Sequence, residues 1–204
     1  MIRAALRLAA VGALALALSG CISLLPKSKP AQLYRFGQTA AAGAPAPAAG
    51  SVGVFLANGT FQGEANGDRM LTITGGKAAF IAQSRWVAPA GVLFNEAVAA
   101  AFDANTGRTR LISRGQQARS DYALRLDVRN FEARYEAGPD SAPTVVVRVR
   151  AVLTSADLTR TAEQIFDVRA KAGDNRVGAI VAAYDKALGD VLGQIIAWTN
   201  DKAA

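Results

Sequence analysis

The sequence contains few reactive side chains. It has one cysteine, Cys21, and no histidine. The sequence therefore lacks the residues required for Ser/His or Cys/His catalysis, for histidine acid–base chemistry and for Cys/His zinc sites. The carboxylates are expected to lie on solvated helix faces, as Glu96 and Asp185 do, or beside strand arginines, as Asp127 and Glu132 do. We therefore predict no catalytic residue, no metal site, no cofactor and no enzyme, and an uncharacterised hydrolase is the weakest alternative.

The single cysteine follows an apolar segment at the amino terminus. Two arginines precede an apolar run of 11 residues, 8–18, and the small residues Ser19 and Gly20 follow it. This is the layout of a secretory signal. A helix of 11 residues spans about 16 Å, whereas the hydrocarbon core of a bilayer is about 30 Å thick. We therefore predict a cleaved signal peptide at residues 1–20 and not a membrane span.

The tetrapeptide LSGC at 18–21 explains the position of the cysteine. It resembles the lipobox of bacterial lipoproteins, in which a leucine and two small residues precede the cysteine. The resemblance implies that Cys21 is the lipid-attachment residue and that its sulfur receives a diacylglyceryl group before cleavage. The alternative is a plain secreted protein with a chance cysteine. A disulfide within the chain is excluded because there is no second cysteine.

Residues 21–50 have the composition of a lipidated leader and linker. The stretch GQTAAAGAPAPAAG at 37–50 is rich in alanine, proline and glycine and cannot bury a core. Before it, Leu33, Tyr34 and Phe36 predict a short strand near residues 33–36 that joins the main sheet. We place the folded domain at residues 51–204.

The first half of the domain is predicted to contain a hairpin and a helix. RMLTIT at 69–74 and AAFIAQSRW at 78–86 are strand-like, and the two glycines at 75–76 are typical of a hairpin turn. Pro89 suits the first turn of a helix, because the N–H that proline lacks would be unpaired there. The helical pattern stops at Gly107.

Long strand patterns dominate the second half. In residues 122–135 the apolar set shifts by one residue after Asn130, which predicts a bulge near Arg129–Asn130. The segments near 144–155 and 161–172 follow after short turns, so neighbouring strands are expected to be antiparallel.

The chain ends in the strongest helical pattern, which Asp174 or Asn175 is expected to cap. Its apolar residues form one stripe: Val177, Ile180, Val181, Tyr184, Leu188, Val191, Leu192, Ile195 and Trp198. The order of strands, helix, strands and helix predicts an α+β single domain, with a mainly antiparallel sheet and two helices packed on one face.

The strand near 144–155 is apolar on both faces. A sheet covered by helices on one face needs only one apolar side. Val146 and Val152 on the second face therefore indicate that this face is also covered, by a neighbouring copy, by a subunit of a partner complex or by residues 31–57. Arg148 and Arg150 lie on the same face and are expected to pair with acidic groups across such a contact.

The corner between the hairpin and the first helix carries Arg85 and Trp86. Trp86 is either a core anchor at this corner or, with Arg85, part of a rim that a partner contacts. The candidate partner surface predicted from the sequence consists of Arg85, Trp86, Arg148 and Arg150.

The charge of the chain excludes one class of partner. The formal net charge is +7, and residues 21–204 carry 21 basic and 16 acidic side chains, which leaves +5. The arginines are scattered along strands and form no dense run. We therefore predict no nucleic-acid partner, and at most a weak attraction to anionic lipid headgroups.

The ordered set of segments resembles the ABC-type transport auxiliary lipoprotein family. After the lipobox, the segments that carry the resemblance are LYRF, DRMLTITGGKAAFIAQSRWVAP, DYALRLDVRNFEA and VAAYDKALGDVLGQIIAW. The lipoprotein of the paraquat-inducible, Mce-type transport system is similar. The sequence departs from the family at residues 58–68, where NGTFQGEANGD replaces a segment with proline and leucine.

The resemblance implies a transport accessory that works without catalysis. The expected partners are the outer membrane, through the lipid anchor, an Mce-type periplasmic protein, and the ABC permease and ATPase. Further copies of the chain, assembled in a ring, are also expected. The protein would lie on the inner leaflet of the outer membrane, facing the periplasm, since Ile22 is not the aspartate of a retention signal. Transport of lipids or other hydrophobic molecules between the membranes is the implied function.

An outer-membrane lipoprotein that binds and activates a peptidoglycan synthase is the alternative. The leader counts against it, because the 12 residues from Cys21 to Leu33 span at most about 40 Å.

Overall fold

A computed structural model describes residues 30–37, 52–112 and 119–203 of the chain. The predicted signal peptide, Cys21 and most of the linker lie outside these residues. From Ala31 onward the described residues belong to one compact unit.

Within those ranges the chain forms eight strands, two α-helices and one short 3₁₀ turn. The strands are β1 (Gln32–Tyr34), β2 (Val52–Ala57), β3 (Arg69–Thr74), β4 (Lys77–Trp86), β5 (Thr109–Ile112), β6 (Tyr122–Arg134), β7 (Thr144–Ser155) and β8 (Thr161–Lys171). The helices are α1 (Ala90–Asp103) and α2 (Val177–Lys202), and the 3₁₀ turn is Gly63–Ala65.

Strand β6 is the centre of a single mixed sheet. One edge pairs along its whole length with β7, which pairs in turn with β8, and both pairings are antiparallel. Along the other edge, β2 and β3 lie end to end and are parallel to β6. Strand β5 flanks β2 in parallel, β4 flanks β3 in an antiparallel hairpin, and β1 adds to β4 in parallel.

The α+β prediction is confirmed, and the antiparallel pairs are the ones that short turns join. The β3–β4 hairpin turns at Gly75 and Gly76, whose φ angles of 54° and 81° favour glycine. The register of β6 and β7 shifts between Val128 and Asn130, which confirms the predicted bulge. The parallel pairing of strands was not predicted from the sequence, because it joins segments that are far apart in the chain.

Both helices pack on one face of the sheet and close the core. Helix α2 packs on β7 and β8, while α1 packs against β5 and α2. The predicted stripe of α2 is buried apart from Val177, which is partly buried. The valines that β7 turns toward α2 are fully buried, because β-branched side chains pack well on a pleated surface.

The segment after β1 runs between the two helices. Phe36 is buried in the core, Arg35 pairs with Glu96 of α1 at 2.5 Å, and the Gly37 N–H donates to Asp185 of α2 at 2.6 Å. Glu96 and Asp185 therefore bind this segment. The expectation that both carboxylates lie on solvated helix faces is thus incomplete. The short strand predicted near residues 33–36 is thus held by the sheet and by both helices.

Two predicted helix ends differ from the structure. Helix α1 ends at Asp103 and not at Gly107, because Asn105 turns the chain by bonding the backbone of Gly107 and Thr109. Helix α2 begins after Arg176, which makes no side-chain cap. Asp174 instead accepts a hydrogen bond from the Arg176 N–H, just outside the helix.

Candidate functional site

The predicted lipid-attachment residue, Cys21, lies outside the described residues, so the anchor stays a prediction. In the part of the chain that the structure describes, no three histidine, cysteine, aspartate or glutamate side chains are placed to hold a metal ion. None of the helices in this part has the length and apolarity needed to cross a membrane. The predicted partner residues, by contrast, all lie in described strands, β4 and β7.

Trp86, at the end of β4, is a core residue. Its side chain is 2% exposed, and its ring meets those of Phe36 and Tyr184 edge-on, with centroids 4.8 and 5.2 Å apart. Strand β1 covers this corner, where Tyr34 pairs with Trp86. The structure therefore corrects the assignment of Trp86 to a partner surface, because the added strand and α2 enclose the indole. The core-anchor alternative is the right one.

Arg85 stays at the surface. About half of its side chain is exposed, and its guanidinium donates to Asp68 at 2.7 Å. Because successive side chains of a strand alternate, Arg85 points away from the core that holds Trp86. It thus lies on the face of the sheet that the helices leave uncovered, here called the outer face. Arg148 and Arg150 are on the same face, three strands away along the sheet.

Arg148 and Arg150 are already paired within the chain. Arg148 donates to Asp167, its direct neighbour on β8. Arg150 donates to both oxygens of Glu163 at 2.5 Å and lies 3.3 Å from Asp127. The register places carboxylates of the same chain beside both arginines, and pairing across a contact stays a prediction. Exposed ion pairs contribute only about 0.2–1 kcal/mol, so a partner can still compete for them.

Asp127 is the most buried acid next to these arginines. Burial disfavours its charge, but the Thr60 N–H and hydroxyl both donate to it at 3.1 Å. These bonds, the charge of Arg125 and a hydrogen bond from Arg150 together outweigh burial and hold the pKa of Asp127 below its usual value. The bond to Arg150 likewise lowers the pKa of Glu163. Asp127 and Glu163 are therefore both ionised at neutral pH.

Around β7 and β8, the outer face has little apolar surface. Val146 is 1% exposed and lies in register between Glu132 and Arg169, whose long side chains flank it. Val152 is partly buried, and Ile165 is 54% exposed. The described parts of residues 31–57 form β1, β2 and the segment between the two helices, and none of them lies across the outer face.

A groove of about 710 Å³ lies beside the first turns of α1, a feature that the sequence argument missed. We call it the α1 groove. It is bounded by the ends of β2 and β5, the middle of β6, and the loop after β2. Its lining consists of Phe55, Leu56, Ala57, Asn58, Gly59, Thr60, Phe61, Asn66, Pro89, Gly91, Val92, Phe94, Asn95, Leu111, Ile112, Leu126 and Val128.

The loop at residues 58–68 is bound tightly to β6 and forms one wall of the groove. Val128 donates to the Thr60 carbonyl and accepts from the Gln62 N–H, both at 2.8 Å. The Gln62 side chain accepts from the Phe131 N–H and donates to Glu132. These bonds replace the sheet ladder in the gap between β2 and β3. The loop is therefore a fixed part of the domain.

A family model matches residues 34–196, which is most of the chain, and it describes the ABC-type transport auxiliary lipoprotein component. The chain belongs to this family. The match begins in β1 and ends in α2, so the outer face and the α1 groove are both parts of the auxiliary-lipoprotein domain. The family resemblance read from the ordered segments is thereby confirmed.

Two crystal structures share the fold of this auxiliary-lipoprotein domain. The protein XCC0632 from Xanthomonas campestris is 24% identical, with a TM-score of 0.68 over 84% of this chain and 96% of that chain. An uncharacterised protein is 14% identical, with a TM-score of 0.64 over 82% and 97%. At these identities the likeness shows the fold alone. No curated protein matches the chain.

Proposed function

We propose that this auxiliary lipoprotein is anchored through Cys21 and serves an ABC-type, Mce-like system that moves lipids or other hydrophobic molecules across the periplasm. The observation that carries the proposal is the family match over residues 34–196. The lipobox at 18–21 supports export and anchoring. The role is one of binding and positioning, with the permease, the ATPase and an Mce-type protein as separate chains.

The outer face is the proposed contact surface for a transporter subunit. It offers Arg148, Arg150 and Asp167 in ion pairs that are exposed enough to exchange with a partner. Among them lies Ile165, an exposed apolar side chain directly opposite Arg150 on β8. A charged rim around an apolar residue is a common arrangement in protein interfaces.

Affinity purification from detergent-solubilised membranes tests the proposed function. The full-length chain should capture the permease, the ATPase and an Mce-type protein of one transport system. Capture of a peptidoglycan synthase without transporter subunits would instead support the alternative function and refute this one. Sucrose-gradient separation should place the chain with the outer membrane, and recovery with the inner membrane would contradict that location.

A pair of variants tests the outer face itself. Ile165→Glu should reduce capture, because it places a carboxylate between Glu163 and Asp167 and removes the apolar contact. Leu158→Glu is the matched control, since Leu158 is also exposed, at 78%, but lies in the β7–β8 turn. Equal capture by both variants would show that the outer face is not the contact surface.

A further inference from the structure

The α1 groove changes from apolar and buried at its base to polar and exposed at its rim. Phe94, Leu126 and Val128 at the base are each at most 5% exposed. The polar side chains of the lining are all exposed and lie at the rim: Asn58, Thr60, Asn66 and Asn95. A molecule with an apolar tail and a polar end would find matching surroundings along this direction.

The lining of the α1 groove has no charged side chain among the residues that the structure describes. None of the 17 described residues that line it is an aspartate, glutamate, lysine or arginine. This contrasts with the outer face of the same sheet, where charged side chains alternate. A charged group loses hydration on entering such a site and finds no opposite charge in return. The lining therefore favours an uncharged occupant over an anionic or cationic one.

Two rim carboxamides are available for hydrogen bonds. The side chains of Asn66 and Asn95 have no hydrogen-bond partner within the described residues. A carboxamide both donates and accepts, so it suits hydroxyl, ester or amide groups. The volume of about 710 Å³ also falls within the range of about 300–1,000 Å³ that is typical of small-molecule sites.

We propose that the α1 groove binds an uncharged amphiphile with an aliphatic chain. The chain lies against Phe94, Leu126 and Val128, and the polar end meets the carboxamides of Asn66 and Asn95. The inference deepens the proposed function and rests on it, because it names the class of hydrophobic molecule that this component holds. Each methylene that the tail buries should tighten binding by about fourfold.

A fluorescence titration of the mature chain, residues 21–204 with Cys21→Ser, tests the proposal without detergent. The probe is N-phenyl-1-naphthylamine, which is uncharged and brightens in apolar sites. Binding should be saturable, and 1-monolauroylglycerol should displace the probe at concentrations at least tenfold below those needed for laurate, which has the same chain and a charge. Absence of saturable binding, or displacement by laurate at equal concentration, would overturn the proposal.

Paired variants locate the site. Val92→Glu places a charge in the lining and should weaken probe binding at least tenfold. Val87→Glu is its matched control, because Val87 is exposed to nearly the same extent, 45% against 47%, yet lies outside the groove. Binding should be unchanged in the control. Equal losses in the two variants, or no loss in Val92→Glu, would refute the assignment.

A second variant keeps the test independent of folding. Asn95→Leu should preserve binding of the probe, which has no hydroxyl groups, but reduce the advantage of 1-monolauroylglycerol over laurate severalfold. An unchanged advantage contradicts the role of the carboxamides. The membrane purification separates the two proposals, since a chain that captures transporter subunits but binds no amphiphile would overturn the groove assignment alone.

Discussion

Gly59 has the least free space of the three glycines in the loop at residues 58–68. A Cβ built there would lie 1.8 Å from the carbonyl oxygen of Leu126, a backbone atom. Gly59→Ala must push the loop off β6 and should destabilise the domain by about 1–3 kcal/mol. Gly63→Ala is the control, because no atom lies within 4 Å of its Cβ position, and it should change stability by less than about 0.5 kcal/mol. Chemical unfolding measures both, and equal effects would contradict the close approach.

Asp127 links the same loop to Arg150 on the outer face, and its contribution to stability depends on pH. Its pKa is lowered in the folded state from the usual 3.8. The stability that its charge contributes is therefore present above about pH 3.8 and is lost as the pH falls toward the folded-state pKa. Asp127→Asn should lower stability at neutral pH and reduce the loss of stability below about pH 4. Unfolding free energies measured from pH 7 to pH 2 test this, and parallel curves for the two proteins would refute it.

Helix α2 is the element on which the core depends most. Leu188 and Ile195 are both fully buried against the sheet. Truncating either to alanine removes methylene groups and leaves a cavity, so we expect a loss of about 2–5 kcal/mol. Gln194→Ala, on the exposed side of the helix, should change stability by less than about 0.5 kcal/mol. Thermal unfolding of the three variants measures these changes. An unchanged melting temperature in Leu188→Ala and Ile195→Ala would contradict the packing of α2 on the sheet.

The elements that could be predicted from sequence are those with a local signal. The two glycines at 75–76, the phase shift at Asn130 and the stripe of α2 each lie within a few turns or one strand, and the structure has all three. The parallel pairing of β2 and β3 with β6 has no local signal, because its partners are about sixty to seventy residues apart. The α1 groove was missed for the same reason, since it forms only where these distant segments meet.

The residues of a contact surface were harder to predict from the sequence than the helices and strands. An arginine followed by a tryptophan at the end of a strand does not reveal which of the two side chains is buried. Their burial depends on whether another strand covers the edge of that strand. Here β1 covers the edge of β4 and encloses Trp86 while Arg85 remains exposed. Arg148 and Arg150 were placed on the correct face by alternation, but their acidic partners depend on the register of β8.

For the whole molecule, the decisive property is the predicted anchor. Two buried acyl chains hold a protein stably on a membrane, whereas one gives only reversible binding. Cys21→Ser should therefore release the domain from membranes or leave an uncleaved precursor. Membrane fractionation with immunoblotting of the full-length chain measures this. A processed variant that fractionates with membranes as the wild type does would show that the anchor is not Cys21.

The end-to-end placement of β2 and β3 along β6 also bears on how the chain reaches its native state. A chain is synthesised from its amino terminus, so β2 and β3 emerge well before Tyr122–Arg134, the strand that must pair with both. Until then Val54 and Leu71, which are buried in the finished domain, have no sheet to cover them. Strands β6, β7 and β8 and helix α2 follow one another directly and close short loops first, which is the faster route. We therefore expect the first half of the chain to be more prone to aggregation than the second until Tyr122–Arg134 has been synthesised.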